Sequence, residues 1–201
     1  MSIDTNLSRI DIYWHTPEWL IKALTTDRCF DLDPCAPPSP RPCETAKITY
    51  DSAQDGLALP WSGPWCYNCG AVSDACIAAT HCISIIPQPY RVWLNPPLIG
   101  AGLWLEKLAA HRHGLAFIFA RPDSVNWHTQ VWPKAHSVFF FEGDITRQRY
   151  GLHADYHSVS GHPQALISYS YFDTCQIELA WENGGIKGTL VKDWTGRLAN
   201  G

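Results

Sequence analysis

Short apolar stretches alternate with amphipathic stretches along most of the chain, and the two patterns predict different elements. Amphipathic spacing predicts helices over "WHTPEWLIKALTTD", with Thr16 as N-cap and Pro17 as the first helical residue, over "AGLWLEKLAAHRH" and near "SVNWHTQVWPKA". Short apolar runs bounded by turn residues predict strands at "CFDLD", "KITYD", "RVWLNPP", "GLAFIFA", "HSVFFFEG" and "PQALISYSYF". Strands that alternate with helices predict an α/β fold with a mostly parallel sheet and helices on both faces.

Polar residues stand at the ends of three of these predicted strands. The residues are Asp31 with Asp33, Asp51 with Asp55, and Asn95. Ligands of open α/β sheets bind beyond the carboxyl ends of the strands, so this placement predicts a binding site at that edge. We interpret Asp51 as a solvated cap rather than as part of the site.

Composition narrows the class of protein. The chain has 201 residues, of which 46% are hydrophobic and 17% charged, and this balance fits one globular domain over 1–201. The first residues carry neither a basic start nor an apolar run, and no apolar run approaches the roughly 18 residues of a membrane span, so we expect a cytoplasmic protein. The formal net charge of −4 gives no global attraction to a polyanion, so contact with nucleic acid would depend on a local basic patch.

The stretch "RVWLNPPLIG" places an Asn and two prolines where a buried strand meets a helix. Proline restricts φ and lacks an N–H group, so this turn exposes mainly hydrogen-bond acceptors. The side-chain oxygen of Asn95 and the carbonyl of Pro96 can accept both hydrogens of an amino group on an aromatic ring. That contact draws the nitrogen lone pair out of conjugation and makes the nitrogen a nucleophile.

Five segments occur in order between residues 14 and 172: "WHTPEWLIKAL", "FDLDPCA", "DGLALPW", "VWLNPP" and "ARPDSVNWH". Together they resemble the phage-type DNA N-6-adenine methyltransferase (Dam-like) family. The resemblance implies a Rossmann-like class I methyltransferase fold in a bacterial or phage-infected host cell. It also implies S-adenosylmethionine as cofactor, DNA as partner, and methyl transfer to the exocyclic amino group of adenine.

The resemblance also implies which residues form the site. The catalytic turn would be Asn95, Pro96, Pro97 and Leu98. The cofactor would meet the first strand end and its neighbours, which are Thr16, Pro17, Asp31, Asp33, Pro34, Ala36 and Asp55. The nucleic acid would meet Arg121, Trp127, Arg147 and Arg149.

Two positions depart from the family pattern. The family usually has an aromatic residue after the prolines, where a ring stacks on a flipped base, whereas this sequence has Leu98. Trp104 and Trp127 are candidates for the missing ring. The family also tends to carry Arg after a glycine near the later strand; this sequence has Asp144 there, which leaves Arg147 and Arg149 as replacements.

The chain contains eight cysteines, and four of them fall within residues 66–82. Without a secretion signal, cysteines are expected as thiols or metal ligands rather than as disulfides. The spacing of Cys66 and Cys69 is that of a zinc knuckle, and Cys76 and Cys82, with His81 as an alternative, are candidates for the remaining ligands. The sequence thus predicts a cysteine-rich insertion at about 64–90 with a possible structural zinc, the alternative being reduced thiols in a loop.

Three functions remain open from the sequence. The first is a DNA adenine methyltransferase, and the second is a methyltransferase that acts on RNA or on a protein amide. The third is a catalytically weak or inactive methyltransferase-fold protein that acts as a zinc-stabilised nucleic-acid-binding module. The oligomeric state is left open.

Overall fold

A seven-stranded sheet forms the centre of the molecule. The computed structural model describes residues 13–25, 29–39, 41, 43–51, 53–66, 70–71, 83–143, 145–150, 157–159, 162–192 and 194. The sheet has the order β3-β2-β7-β8-β12-β9-β13. Its strands are β2 (Phe30–Asp33), β3 (Ala46–Thr49), β7 (Val92–Leu94), β8 (Gly114–Phe119), β9 (Ser137–Phe141), β12 (Gln164–Ser168) and β13 (Gly188–Lys192).

The sheet is parallel on one side and antiparallel on the other. The pairs β3-β2, β2-β7 and β7-β8 are parallel, whereas β12 runs antiparallel to both β8 and β9, and β13 runs antiparallel to β9. The α/β class is confirmed. The sheet is mostly parallel in strand direction, as expected, because five of its seven strands run the same way; β12 and β13 run the opposite way and make it mixed.

Helices cover both faces of this sheet, as the sequence predicts. One face packs against α1 (Glu18–Leu24) and α3 (Tyr171–Glu182), with Leu20, Ile177 and Phe117 in the shared core. The other face packs against α2 (Ala101–His111) and a π-helical turn, Trp127–Val131, with Leu105 and Ala116 in a second core. Alternate residues of β7, β8, β9 and β12 feed the two cores, because side chains point to opposite faces of a strand.

Helix α1 is shorter than predicted, and Thr16 does not cap it. Pro17 occupies the N-cap position, and no side chain caps the helix there. The hydroxyl of Thr16 instead accepts a 2.9 Å hydrogen bond from the indole N–H of Trp93 in β7. The sequence could not predict this contact because the two residues are far apart in the chain.

The last predicted strand also ends earlier than expected. β12 stops at Ser168, and Tyr171 and Phe172 already belong to α3, whose N-cap is Ser170. The Ser170 hydroxyl oxygen accepts from the backbone N–H of Asp173, and this cap starts the helix. The sequence predicts no helix after "PQALISYSYF", so α3 is apparent only in the structure.

A buried ion pair joins α3 to the amino ends of the central strands. Asp173 Oδ1 accepts from Arg91 Nε at 3.0 Å, and Oδ2 accepts from the backbone N–H of Gly114 at 2.8 Å. Burial alone would raise the pKa of Asp173, but hydrogen bonds from His113, Ser170 and Gly114 and the Arg91 charge lower it to about 2. A side chain at Gly114 would overlap the Val92 backbone, so this position requires glycine.

Two smaller antiparallel sheets accompany the central one. The first joins β1 (Tyr13–Trp14), β10 (Thr146–Tyr150) and β11 (His157–Val159). The second joins β4 (Ser62–Cys66), β5 (Gly70–Ala71) and β6 (Ile83–Pro89), within the stretch predicted to be an insertion. None of the described helices has both the length and the apolar character that crossing a bilayer requires.

Candidate functional site

The strand order reverses direction between β2 and β7. From β2 the chain passes to β3 on one side, and its later parallel strands, β7 and then β8, lie on the other side. In open α/β sheets such a reversal opens a crevice at the carboxyl ends of the two strands, where ligands bind. The residues that follow β2 and β7 are the Asp33–Cys35 turn and the Asn95–Pro97 turn, so the two predicted site segments flank this crevice.

Asp33 ends β2 as a buried carboxylate and is 2% exposed. Its Oδ2 accepts from the hydroxyl of Thr45 at 2.5 Å, and its Oδ1 accepts from the backbone N–H of Cys35 at 3.2 Å. Burial raises the pKa of Asp33 to about 6, against the opposing effect of these hydrogen bonds and of Arg41. Asp33 therefore supports the turn from within.

Cys35 links the two turns. It follows the end of β2, whose Leu32 pairs with Val92 of β7, and the pKa of its thiol is influenced by both the Asp33 side chain and the Asn95 backbone. Burial, followed by the Asp33 charge, raises the pKa of the Cys35 thiol well above its usual range, so the thiol stays protonated. The sequence does not indicate that Cys35 lies near the Asn-Pro-Pro turn. Only the pairing of β2 with β7 brings the two segments together.

A second loop closes on the first strand end at Gly56. A methyl group at Gly56 would lie 2.0 Å from the Pro34 carbonyl oxygen and 3.1 Å from the Trp104 ring, so only glycine allows this approach. The neighbouring Asp55 is exposed, and its Oδ1 accepts from the backbone N–H groups of Leu57 and Ala58. Asp55 is therefore the solvent-facing carboxylate beside the first loop.

Lys107 anchors this second loop to helix α2. Its ammonium donates to the carbonyls of Leu57 at 2.7 Å and Leu59 at 2.6 Å, and more distantly to Gly56. The ammonium also lies 4.6 Å from the centre of the Trp61 ring. Sequence analysis missed Lys107, because its position on the helix gives no sign of carbonyl partners about fifty residues earlier in the chain.

The Asn-Pro-Pro turn leads from β7 into α2. Asn95 and Pro96 are half-buried, whereas Pro97 is exposed and Leu98 is 66% exposed. Gly100 adopts a left-handed conformation and starts α2 at Ala101. The turn thus presents Asn95 and Pro96 at the crevice, while the side chain of Leu98 points largely to solvent.

Other predicted cofactor residues have structural partners. Asp31 lies two residues before the end of β2, where its Oδ2 accepts from the Arg91 backbone N–H at 2.9 Å and its Oδ1 lies 3.4 Å from Lys47 Nζ. The structure thus pairs Asp31 with the backbone at the amino end of β7, and its contact with a cofactor stays a prediction. Ala36 is buried and donates its N–H to the Tyr50 carbonyl. Asp51 accepts from the Ala53 N–H, which agrees with its interpretation as a cap.

The residues predicted to contact nucleic acid differ in their exposure to solvent. Trp127 is 1% exposed and stacks on Phe140 with 5.8 Å between ring centroids, so the prediction that it contacts nucleic acid is wrong. Arg121 is exposed just beyond the carboxyl end of β8, near Asp123. Arg147 and Arg149 lie in β10, where Arg149 is paired with Trp14 of β1; their side chains are outside the described part of the structure.

The predicted zinc ligands fall outside the structure's description. Cys69, Cys76, His81 and Cys82 are not among the described residues, and Cys66 is described only by its backbone, which pairs with Gly70 and Ile83. Among the described residues, no cluster of His, Cys, Asp or Glu is arranged to hold a metal ion. Cys29, Cys35, Cys43 and Cys175 are half-buried thiols without disulfide bonds. The zinc assignment stays a prediction.

Comparison with known proteins returns no relative: no protein-family model, curated sequence or solved structure matches this chain.

Proposed function

We propose that this protein is an S-adenosylmethionine-dependent DNA adenine methyltransferase with a Rossmann-like class I fold. One observation carries the proposal: the chain reversal between β2 and β7 brings the Asn95–Pro97 turn beside the Asp33–Cys35 turn. These segments are sixty residues apart in the chain, and a transfer site needs a cofactor loop and an acceptor turn at one crevice.

The acceptor turn fits a planar amino group. Asn95 Oδ1 and the Pro96 carbonyl would accept the two N–H groups of the adenine amino group and so keep its lone pair available for attack. Pro97 supplies no backbone N–H that could compete for these acceptors. Asn95 therefore acts by contact with the reacting nitrogen, and no ionisable base is needed at this position.

The loops at Pro34 and Gly56 fit a cationic cofactor that contains a nucleoside. When bound, S-adenosylmethionine supplies an electrophilic methyl group on a sulfonium. The exposed carboxylate of Asp55 lies beside the close contact between Gly56 and Pro34, which shapes the loop surface. Asp33 is buried and holds this surface through Thr45 and Cys35, so we assign it to loop support rather than to direct contact.

Tritium transfer from labelled S-adenosylmethionine to DNA tests the proposal. We expect wild-type protein to label adenine-containing DNA and not a duplex of guanine and cytosine alone. Asn95→Ala should lower turnover by at least about 100-fold and leave cofactor affinity unchanged, because Asn95 contacts the acceptor rather than the cofactor. Asn183→Ala, at an exposed asparagine after α3, is the matched control and should keep full activity.

Three outcomes would contradict the proposal. Full labelling by Asn95→Ala would remove the catalytic assignment. Labelling of RNA or of a protein amide, with DNA left unlabelled, would move the activity to another amino group. A folded wild-type protein that binds DNA but has no cofactor affinity by calorimetry would identify a binding module instead.

A further inference from the structure

The site lacks an aromatic ring at the places where the sequence suggests one. Leu98 stands at the position expected to stack on a flipped base, and it is 66% exposed. Trp127 is in the core on the α2 side of the sheet, and Trp104 packs against the same core, with its ring stacked on Trp61. Asn95 directly follows Leu94, the last residue of β7, and so lies at the carboxyl edge of the sheet. Trp127 is 1% exposed and Trp104 already has the Trp61 ring against it, so a ring at another position of this edge is a better candidate for the platform.

Phe119 is an aromatic residue at the same carboxyl edge of the sheet as Asn95. It ends β8, the strand next to β7, and it follows Leu115 and Phe117 by even steps on the α1 side of the sheet. Strand β7 pairs with β8 so that Leu94 is opposite Ala116. Phe119 thus lies roughly 10 Å beyond the level of Leu94, at the carboxyl edge and one strand to the side of Asn95.

The surroundings of Phe119 hold its ring in place. His162 contacts the ring edge-on, with 5.4 Å between ring centroids and an interplanar angle of 80°. The Ala120 N–H donates to the Pro163 carbonyl at 2.8 Å, which fixes the backbone next to His162. Gln164 of β12 is paired directly with Phe119, and its amide is buried on the same edge. Phe119 is half-buried, so part of its ring faces solvent.

We infer that Phe119, supported by His162, is the platform on which the target adenine stacks after it leaves the DNA helix. This inference rests on the proposed function and names the residue that replaces the ring missing at Leu98. A base that has left its stack needs an aromatic surface near the acceptors of its amino group. Among the described residues, Phe119 offers such a surface beside Asn95 at the carboxyl edge.

The test is the affinity of the protein for a single-stranded oligonucleotide that contains adenine, measured without cofactor by fluorescence anisotropy. Phe119→Leu keeps apolar bulk but removes the ring, and we expect it to weaken binding about 5- to 100-fold. Phe119→Tyr should restore near wild-type affinity. Phe172→Leu is the matched control at an exposed phenylalanine on α3 and should bind as the wild type does.

A second variant keeps the test valid if Phe119→Leu does not fold. His162→Ala changes an exposed side chain and removes the edge contact, so it should weaken binding about 2- to 5-fold without loss of folding. In steady-state methylation, Phe119→Leu should raise KM for DNA and leave KM for the cofactor unchanged.

The outcomes separate this inference from the proposed function. If wild-type protein methylates DNA and both Phe119→Leu and His162→Ala bind and react as the wild type does, the platform is elsewhere and the inference is overturned. If Phe172→Leu weakens binding as much as Phe119→Leu does, the effect is not specific to the site, and the inference is again overturned. If the wild-type protein transfers no methyl group to DNA, the proposed function fails, and the inference fails with it.

Discussion

Asp33 is held where water hardly reaches it, and this burial has a measurable energetic consequence. The native carboxyl keeps its proton up to a pKa of about 6, whereas an unfolded Asp releases it near pH 4. Between these two values the folded state binds more protons than the unfolded state, so stability falls as pH rises from about 4 to about 6. Above pH 6 the buried carboxylate lowers the free energy of unfolding by an amount that no longer changes with pH.

We therefore predict that Asp33→Asn stabilises the protein at pH 8 by about 2–3 kcal/mol and has almost no effect at pH 4. The amide imitates the protonated carboxyl, because it can accept from the Cys35 N–H and donate to the Thr45 hydroxyl oxygen. Urea unfolding of both proteins between pH 4 and 8 measures the difference. Asp51→Asn, at a turn cap that accepts from the Ala53 N–H, is the matched control. Equal stabilities at pH 8 would contradict the buried-carboxylate account.

Leu98 has the opposite environment, and its exposure leads to a second prediction. A residue that is 66% exposed tolerates a larger side chain, so Leu98→Tyr should change the free energy of unfolding by less than about 0.5 kcal/mol. Because the side chain at 98 faces solvent and the proposed platform is Phe119, we expect Leu98→Tyr to raise DNA affinity by less than about 3-fold. Thermal unfolding and anisotropy measure both effects. A gain of more than tenfold would show that position 98 reaches the base.

Helix α3 depends on Asp173, which joins three elements through one carboxylate. Its carboxylate accepts from the hydroxyl of the N-cap residue Ser170, from Arg91 before β7 and from the first N–H of β8 at Gly114. The guanidinium of Arg91 also lies 4.4 Å from the centre of the Phe30 ring. This network is at the amino edge, opposite the candidate site, so it concerns stability rather than chemistry.

We predict that Asp173→Asn lowers the free energy of unfolding at pH 7 by about 3 kcal/mol, because Arg91 is left without its buried counter-charge. The pKa of Asp173 is depressed to about 2, so its contribution is complete above about pH 4 and is lost as pH falls toward 2. The difference between the two proteins should therefore shrink in acid. Asp123→Asn, which alters an exposed pair with Arg121, should change stability at neutral pH by less than about 0.5 kcal/mol. A loss at Asp173 that stays constant down to pH 2 would contradict the ionic explanation.

At the scale of the whole molecule, the small sheet of β4, β5 and β6 is separate from the central sheet. The two meet through neighbouring core residues, since Trp61 before β4 and Tyr90 after β6 are buried in the core on the α2 side. The polypeptide between these two residues carries the predicted zinc ligands. Because methyl transfer requires no Lewis acid, we expect any metal there to support folding only.

We predict one zinc ion per chain, bound between Cys66 and Cys82, by elemental analysis of purified protein. Cys66→Ser and Cys69→Ser should each lose the metal and lower the unfolding temperature, because a ligand-deficient site binds zinc weakly. Cys175→Ser, at a half-buried thiol on α3, is the control and should keep the metal. A folded protein with no zinc, unaffected by excess chelator, would contradict the prediction.

Much of the architecture follows from the pattern of apolar and polar residues. Short apolar runs between turn residues located β2, β3, β7, β8 and β9, and amphipathic spacing located α2, because strands buried on both faces and helices that pack on one face need those patterns. The predicted turns after β2 and β7 flank the crevice for the same reason, since parallel strands bring their carboxyl ends to one edge. The start of β12 was also predicted, but its direction was not, because a strand has the same pattern whichever way it runs.

The sequence by itself thus determined the α/β class, six of the seven strands of the central sheet and the polar residues at the strand ends. Only the tertiary structure decided which of those residues face the crevice. Asp31 and Asp33 differ by two positions, yet one bonds to the Arg91 backbone and the other supports the loop. Trp127 is in the core, although the resemblance implies a nucleic-acid contact, and Leu98 faces solvent, although its side chain is apolar. Exposure and pairing depend on strand order and on which face each residue takes, and both are set by contacts between segments far apart in the chain.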